Sequence, residues 1–176
     1  AFKFSDPKTN PDCNRDHLWQ SLMPSDPLTV STPFLAEKLK SAPGEVRLVR
    51  NAIDLDRWTR NEITTEKPVI GWVGSTKHRS GDLETLIGIL GPFISDNDLK
   101  FMHAGFWPNG VTAGDLAKVP SENQLTSDIV SILEYPNLLK LMDVGLVPLN
   151  QIPFNHAKSC IKGMEYAAAG VPFIAE

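Results

Sequence analysis

From Pro68 onward the chain repeats one pattern: a short apolar run, a segment of helical periodicity, then another apolar run. "PVIGWVGS" (68–75), "LKFMHAG" (99–105), "VGLVPL" (144–149) and "VPFIA" (171–175) are apolar on both alternation phases for most of their length. A strand with one wet face alternates apolar and polar residues, whereas a run apolar throughout is covered on both faces. "GDLETLIGIL" (81–90), "PNLLKLM" (136–142) and residues 157–169 lie between the runs and read as helices. Asp82 and Glu84 favour a helix start by charge, Pro136 by geometry, and Gly170 provides a left-handed stop. "DIVSILE" (128–134) reads as a further strand and "GFWPNGVTAG" (105–114) as an irregular loop. Buried strands separated by helices imply an α/β fold, with a parallel sheet covered by helices on both faces.

The preceding segment is less regular. "DPKTNPDCNRD" reads as loop, "LTVST" (28–32) as a strand, "FLAEKLKSA" (34–42) as an amphipathic helix and "EVRLVR" (45–50) as an alternating strand. "NAIDLDRW" (51–58) breaks that alternation, and polar "TRNEITTEKP" (59–68) reads as a linker. The chain opens without Met and closes on an apolar run, which is expected of a fragment.

Composition narrows the function classes. A net charge of −4 and a pI near 5.6 argue against a nucleic-acid partner. No apolar stretch approaches the ~18 residues of a membrane helix, and no secretory signal opens the chain, so no transmembrane segment is expected. Cys13 and Cys160 are too isolated for a disulfide framework, which suits a reducing cytoplasm. His17, His78, His103 and His156 lack metal-ligand spacing, so no metal is expected. There is no G-x-S-x-G turn, no G-x-G-x-x-G and no G-x-x-x-x-G-K-[ST]. Asp143 reads as a structural hydrogen-bonding residue, and Trp72, Phe106 and Trp107 as core packing before base stacking.

In parallel sheets, ligands bind at the carboxyl ends of strands, where the strand order reverses. Two polar segments fall there. "GSTKHRSGD" places Gly74, Ser75, Thr76, Lys77 and His78 at a strand-to-helix turn, a phosphate cradle or an ordinary polar loop. "NHAKSCIKGME" (155–165) carries Asn155, Lys158, Ser159, Lys162 and Glu165. Ser159 and the free N–H groups of a first helical turn suit a pyrophosphate, with Lys158 or Lys162 neutralising it. Glu165, about two turns on, suits the hydroxyl pair of a ribose. The alternative is a surface stripe with a Lys162–Glu165 pair worth ~0.2–0.5 kcal/mol.

The order "VSTPFLAEKL…VRLVRNAIDLDRW…IGWVGS…DLETL…FMHAG…MDVGLVPL…FNHAKSCIKGMEYAAAGVPFIA" resembles the C-terminal half of group 1 (family four) glycosyltransferases of GT-B fold, from about Leu28 to the end. The final segment matches a family branch reading F-N-x-x-K-S-x-x-K-x-x-E-Y-x-A-x-G-V-P. The resemblance implies that residues 1–66 are the end of an N-terminal lobe plus linker. Residues 67–176 are then a Rossmann-like lobe that binds a nucleotide sugar. It implies a donor-binding part of an enzyme that moves sugar, with retention, from a nucleoside-diphosphate sugar to a glycan, lipid or protein acceptor. No cofactor beyond that donor is implied. Lys158, Ser159 and Lys162 match the diphosphate end, and the Gly74–Thr76 backbone would cradle phosphate. Lys77 and His78 stand within reach of it, Glu165 would orient ribose, and Leu133 to Pro136 would lie beside the base. Ala157 stands where the first glutamate of the family's E-x7-E falls, and Ser75 and Ser80 stand in place of an Arg and a Lys. No residue reads as a general base or nucleophile. The alternative is a non-catalytic, glycosyltransferase-like binding or structural module. A receiver- or flavodoxin-like domain would need an acidic cluster or flavin loop that "GWVGS" and "FMHAG" lack.

Overall fold

The computed structural model describes residues 20–22, 24, 26–58, 66–75, 82–107 and 110–175. The chain divides into two compact units: Ala1–Asn51 with His156–Ser159, and Ala52–Asn155 with Cys160–Glu176. In the first unit, β1 (Leu28–Val30) pairs in parallel with β2 (Val46–Leu48), and α1 (Pro33–Lys38) lies between them in sequence. β1 stops at Val30 because Thr32 caps α1: its Oγ1 accepts the Leu35 N–H at 3.3 Å, and Pro33 presets the first helical residue. The same hydroxyl donates to the Ala157 carbonyl at 3.2 Å.

The second unit holds a five-stranded parallel sheet. Its strands are β3 (Val69–Ser75), β4 (Lys100–Phe106), β5 (Gln124–Ser127), β6 (Val144–Val147) and β7 (Phe173–Ala175). Their order is β5-β4-β3-β6-β7, so the direction of winding reverses between β3 and β6. The helices are α2 (Leu90–Asp96), α3 (Ala113–Leu116), α4 (Tyr135–Leu139), α5 (Pro153–His156) and α6 (Ile161–Ala168). β3 sends Val69 and Val73 into a core with Met102, Leu139, Met142 and Tyr166. On the other phase Trp72 packs with Leu83, Ile94, Phe101 and Ala117. Both sheet faces are therefore covered, as the apolar runs require. Gly145 makes room for the fully buried Tyr166 ring, since a Cβ there would lie 2.5 Å from it. Asp143 is structural: its carboxylate accepts the Val69 N–H at 2.7 Å, and its own N–H donates to the Val69 carbonyl.

Three elements differ from the sequence reading. The strand next to β4 is Gln124–Ser127, not 128–134. Residues 132–134 turn into α4 because Ser131 caps them, its Oγ accepting the Glu134 N–H at 3.3 Å. Ile129, Ile132 and Leu133, which gave the strand-like signal, are 68 %, 77 % and 74 % exposed. The helix expected over 81–90 is a single 3-10 turn (Glu84–Leu86), and Gly88 at φ 78° ends it. α2 follows, with Pro92 in its first turn, where no N–H partner is lost. The helix expected over 157–169 starts later than that: a separate short helix, α5, closes at His156, and α6 opens only at Ile161. Gly170, at φ 74°, ends α6 as its position implied.

Candidate functional site

The carboxyl ends of β3 and β4 come together as Gly74 opposite Gly105. Gly105 has φ 142°, and a Cβ on it would lie 1.7 Å from the Gly74 carbonyl oxygen, so only glycine allows this approach. With no side chain on either residue, a pocket of about 260 Å³ opens at this edge. β3 contributes Val73 and Gly74, and β4 contributes Gly105 and Phe106. The loop after β5 supplies Asp128, Ile129 and Val130, α4 supplies Tyr135 and Leu138, and α6 supplies Lys162.

Three polar side chains close a triangle at this wall. Lys162 Nζ donates to the Tyr135 hydroxyl at 2.7 Å and lies 2.9 Å from Glu165 Oε2. The Tyr135 hydroxyl donates to the same Oε2 at 2.8 Å. The ammonium also sits 5.1 Å from the Tyr135 ring centre, and Trp58 meets that ring edge-on. Lys162 and Glu165 are only 25 % and 17 % exposed, unlike a solvated surface pair. Their i,i+3 spacing on α6 puts both on one helix face.

A second polar cluster fastens the loops at the switch point. Asp82, 2 % exposed, accepts the Asn150 N–H at 2.9 Å and Asn155 Nδ2 at 2.6 Å, both on Oδ1. Asn155 Nδ2 also reaches the Asn150 carbonyl at 2.7 Å. The chain before α2 is thereby tied to the loop after β6. His103 is fully buried on β4, with Nε2 3.0 Å from Gln124 Oε1 and 3.1 Å from Thr126 Oγ1. It packs on Phe101 and Trp107, within the Trp72 core and away from the pocket. Burial holds its pKa below the usual imidazole value, against opposing pulls from the Gln124 bond and the Asp115 charge.

This architecture has known counterparts. Sucrose-phosphate synthase from Thermosynechococcus elongatus superposes on 98 % of this chain and 46 % of its own, with a TM-score of 0.67 at 14 % identity. The chain has the fold of a GT-B glycosyltransferase lobe. AviGT4, a glycosyltransferase involved in avilamycin A biosynthesis, matches 84 % of this chain and 44 % of its own, with a TM-score of 0.57 at 13 % identity. In sequence, TuaH of Bacillus subtilis (strain 168), provisionally assigned as a teichuronic acid biosynthesis glycosyltransferase, is 23 % identical over 173 residues. That match covers 85 % of this chain, which spans about 40 % of TuaH's length. No protein-family model matches. In fold, and over part of the relative's length in sequence, the chain is thus similar to glycosyltransferases.

Within the GT-B lobe, the sequence candidates distribute as follows. Gly74 lines the pocket, and Ser75 ends β3 beside it. Thr76, Lys77 and His78 lie outside the described residues. Lys162 and Glu165 meet in the triangle, whereas the amide nitrogen of Asn155 is engaged by Asp82 and the loop after β6. Lys158 and Ser159 belong to the first unit, where the Ser159 hydroxyl accepts from Asn51 Nδ2 at 2.6 Å. Sequence reasoning missed Gly105 and the loop 128–130 as pocket walls and Asp82 as a buried anchor; the resemblance put the segment Leu133 to Pro136 beside the base, and Tyr135 of that segment lines the pocket. The pairing of "FMHAG" with "GWVGS" could have signalled Gly105. Nothing in the sequence joins Tyr135 to Lys162, 27 residues apart. Among the described residues no three His, Cys, Asp or Glu side chains gather as metal ligands, and no helix is long and apolar enough to cross a membrane.

Proposed function

We propose that the second unit binds the donor in a glycosyltransferase that moves a sugar from a nucleoside-diphosphate sugar to a glycan, lipid or protein acceptor, with retention of anomeric configuration. The observation that carries the reading is the glycine-edged pocket with a cation and a carboxylate at its wall. The nucleoside, ribose and diphosphate of such a donor each find a candidate partner. Val73, Ile129, Val130 and Leu138 offer an apolar surface to the nucleoside. Glu165 accepts hydrogen bonds from ribose hydroxyls, and Lys162 lies one helical turn nearer the amino end of α6. As the bond between the anomeric carbon and the diphosphate oxygen breaks, negative charge builds on the leaving group. Lys162 and the N–H groups opening α6 meet that charge, which lowers the barrier only to the extent that they hold the leaving diphosphate more tightly than the intact donor. Thr76, Lys77 and His78 follow Ser75 directly in sequence and join the phosphate end of this reading. No cofactor beyond the donor is assigned. A nucleotide-sugar substrate and an unpaired, exposed Cys160 suit the cytoplasm.

Calorimetric titration of the full-length protein with UDP-, GDP- and ADP-sugars tests the proposal. One of them should bind, and Glu165→Ala should weaken it about tenfold without unfolding, the usual effect of losing a charge-assisted bond. Failure of all three to bind the unsubstituted protein overturns the reading. Ala157, in place of the family's first glutamate, favours a second reading: a lobe that binds the donor without catalysis. Binding without turnover in the full-length protein would distinguish it.

A further inference from the structure

We infer that Tyr135 is the positioning residue of this site, holding Glu165 so that its second carboxylate oxygen is presented to the donor's ribose. The inference rests on the donor-binding reading above. The direction of the hydrogen bonds follows from the chemistry of the groups. An ammonium only donates and a carboxylate only accepts, so the single phenolic proton must point at Glu165 while the phenol oxygen accepts from Lys162. Glu165 Oε2 then receives two donors, from Tyr135 at 2.8 Å and Lys162 at 2.9 Å, and Oε1 remains outside the triangle. Fixing one oxygen of a planar carboxylate fixes the direction of the other. Lysine and glutamate alone could not do this, because an i,i+3 pair of flexible side chains samples many geometries.

Tyr135 can fix them because its own ring is held. It begins α4 ahead of Pro136, which presets the backbone, and Leu138 and Leu139 of that helix are buried in the core. Trp58 packs edge-on against the ring at 6.1 Å, and the Lys162 ammonium lies 5.1 Å from the ring centre at its hydroxyl end. The ring lines the pocket together with Lys162. The phenol thus links the apolar wall, the cation and the ribose acceptor in one rigid unit.

The test uses the full-length protein and isothermal calorimetry. UDP, GDP and ADP are titrated first, then the 2′,3′-dideoxy form of the tightest binder. The unsubstituted protein should prefer the ribonucleotide. Tyr135→Phe keeps the ring and the Trp58 packing and leaves the Lys162–Glu165 pair in place. It should lose about tenfold in ribonucleotide affinity, the scale of one charge-assisted hydrogen bond, with dideoxy affinity unchanged. In a Glu165→Ala background the same substitution should cost nothing further. If Tyr135→Phe keeps the ribose preference while Glu165→Ala abolishes it, the positioning role is wrong and the donor-binding reading stands. Equal loss of both ligands, as misfolding would give, marks a structural role and also overturns the inference. If the unsubstituted protein binds none of the three nucleotides, both readings fall.

Discussion

Asp82 is the residue whose replacement should be felt most sharply outside the pocket. Its carboxylate is 2 % exposed and takes two hydrogen bonds on one oxygen, from the Asn150 N–H and from Asn155 Nδ2. A hydrogen bond to a charged group contributes about 1.5–3 kcal/mol, so the pair sets an upper figure of about 6 kcal/mol. Asp82→Ala leaves the Asn150 N–H orphaned, but Asn155 Nδ2 keeps its bond to the Asn150 carbonyl. The variant also removes the cost of burying a charge. The expected net loss is about 3 kcal/mol, and about 1 kcal/mol for Asp82→Asn, which retains a neutral oxygen acceptor. Urea unfolding should show it as a lower midpoint at constant m. Because Asn155→Ala deletes one of the same bonds, the double variant should lose about 1–2 kcal/mol less than the sum of the single losses. Amide exchange at Asn150 should quicken in Asp82→Ala. A loss within about 0.5 kcal/mol of zero would refute the anchoring role, as would additivity within that margin.

Two further outcomes are expected. Gly105→Ala places a methyl group 1.7 Å from a backbone oxygen, which no rotamer relieves. It should cost about 3 kcal/mol in urea unfolding and abolish nucleotide binding by calorimetry, and wild-type stability would contradict the glycine pairing. His103 titrates below its ordinary value of 6.5, so the unfolded chain binds the proton first. Its share of stability is complete above about pH 6.5 and is lost as pH falls towards the folded-state value, at no more than ~1.4 kcal/mol per pH unit. Urea midpoints between pH 7.5 and 5 should fall less steeply in His103→Gln, and an identical slope would refute the assignment.

The strands legible in sequence are those whose own residues carry an apolar or alternating run, including β7, which lies at the sheet edge with Phe173 and Ile174 exposed. β3, β4 and β6 were each placed by runs of Val, Ile, Leu and Phe, because burial on both faces leaves no room for a polar phase. β5 gave no such signal. It lies at the sheet edge with one partner, and its "QLTS" sequence spends Gln124 and Thr126 on the His103 imidazole. Its identity depends on a buried histidine 21 residues earlier that no local pattern reveals. The helix boundaries failed for a related reason. Apolar period alone carried the reading through Gly88 and into the residues just before Ile161, where backbone conformation decides.

The candidate site was legible where its residues share one element. Lys162 and Glu165 lie three apart on α6, and Gly74 closes an unmistakable strand; their place after a strand and the family resemblance, rather than spacing alone, put them at the carboxyl edge. Tyr135 and Asp82 were not legible in these roles, because each acts through partners brought close only by the winding of the sheet. The misread run "DIVSILE" is instructive. Its isoleucines and leucine are too exposed to serve the core, yet Ile129 and Val130 line the pocket. A loop that keeps branched apolar residues in water carries a cost that packing does not offset, and such exposed apolar surface is characteristic of binding sites. The error thus has a physical cause: hydrophobicity marks a surface to be covered without saying by what. In β3 the cover is the chain itself; at 129–130, on the reading proposed for this lobe, it is the nucleoside of the donor.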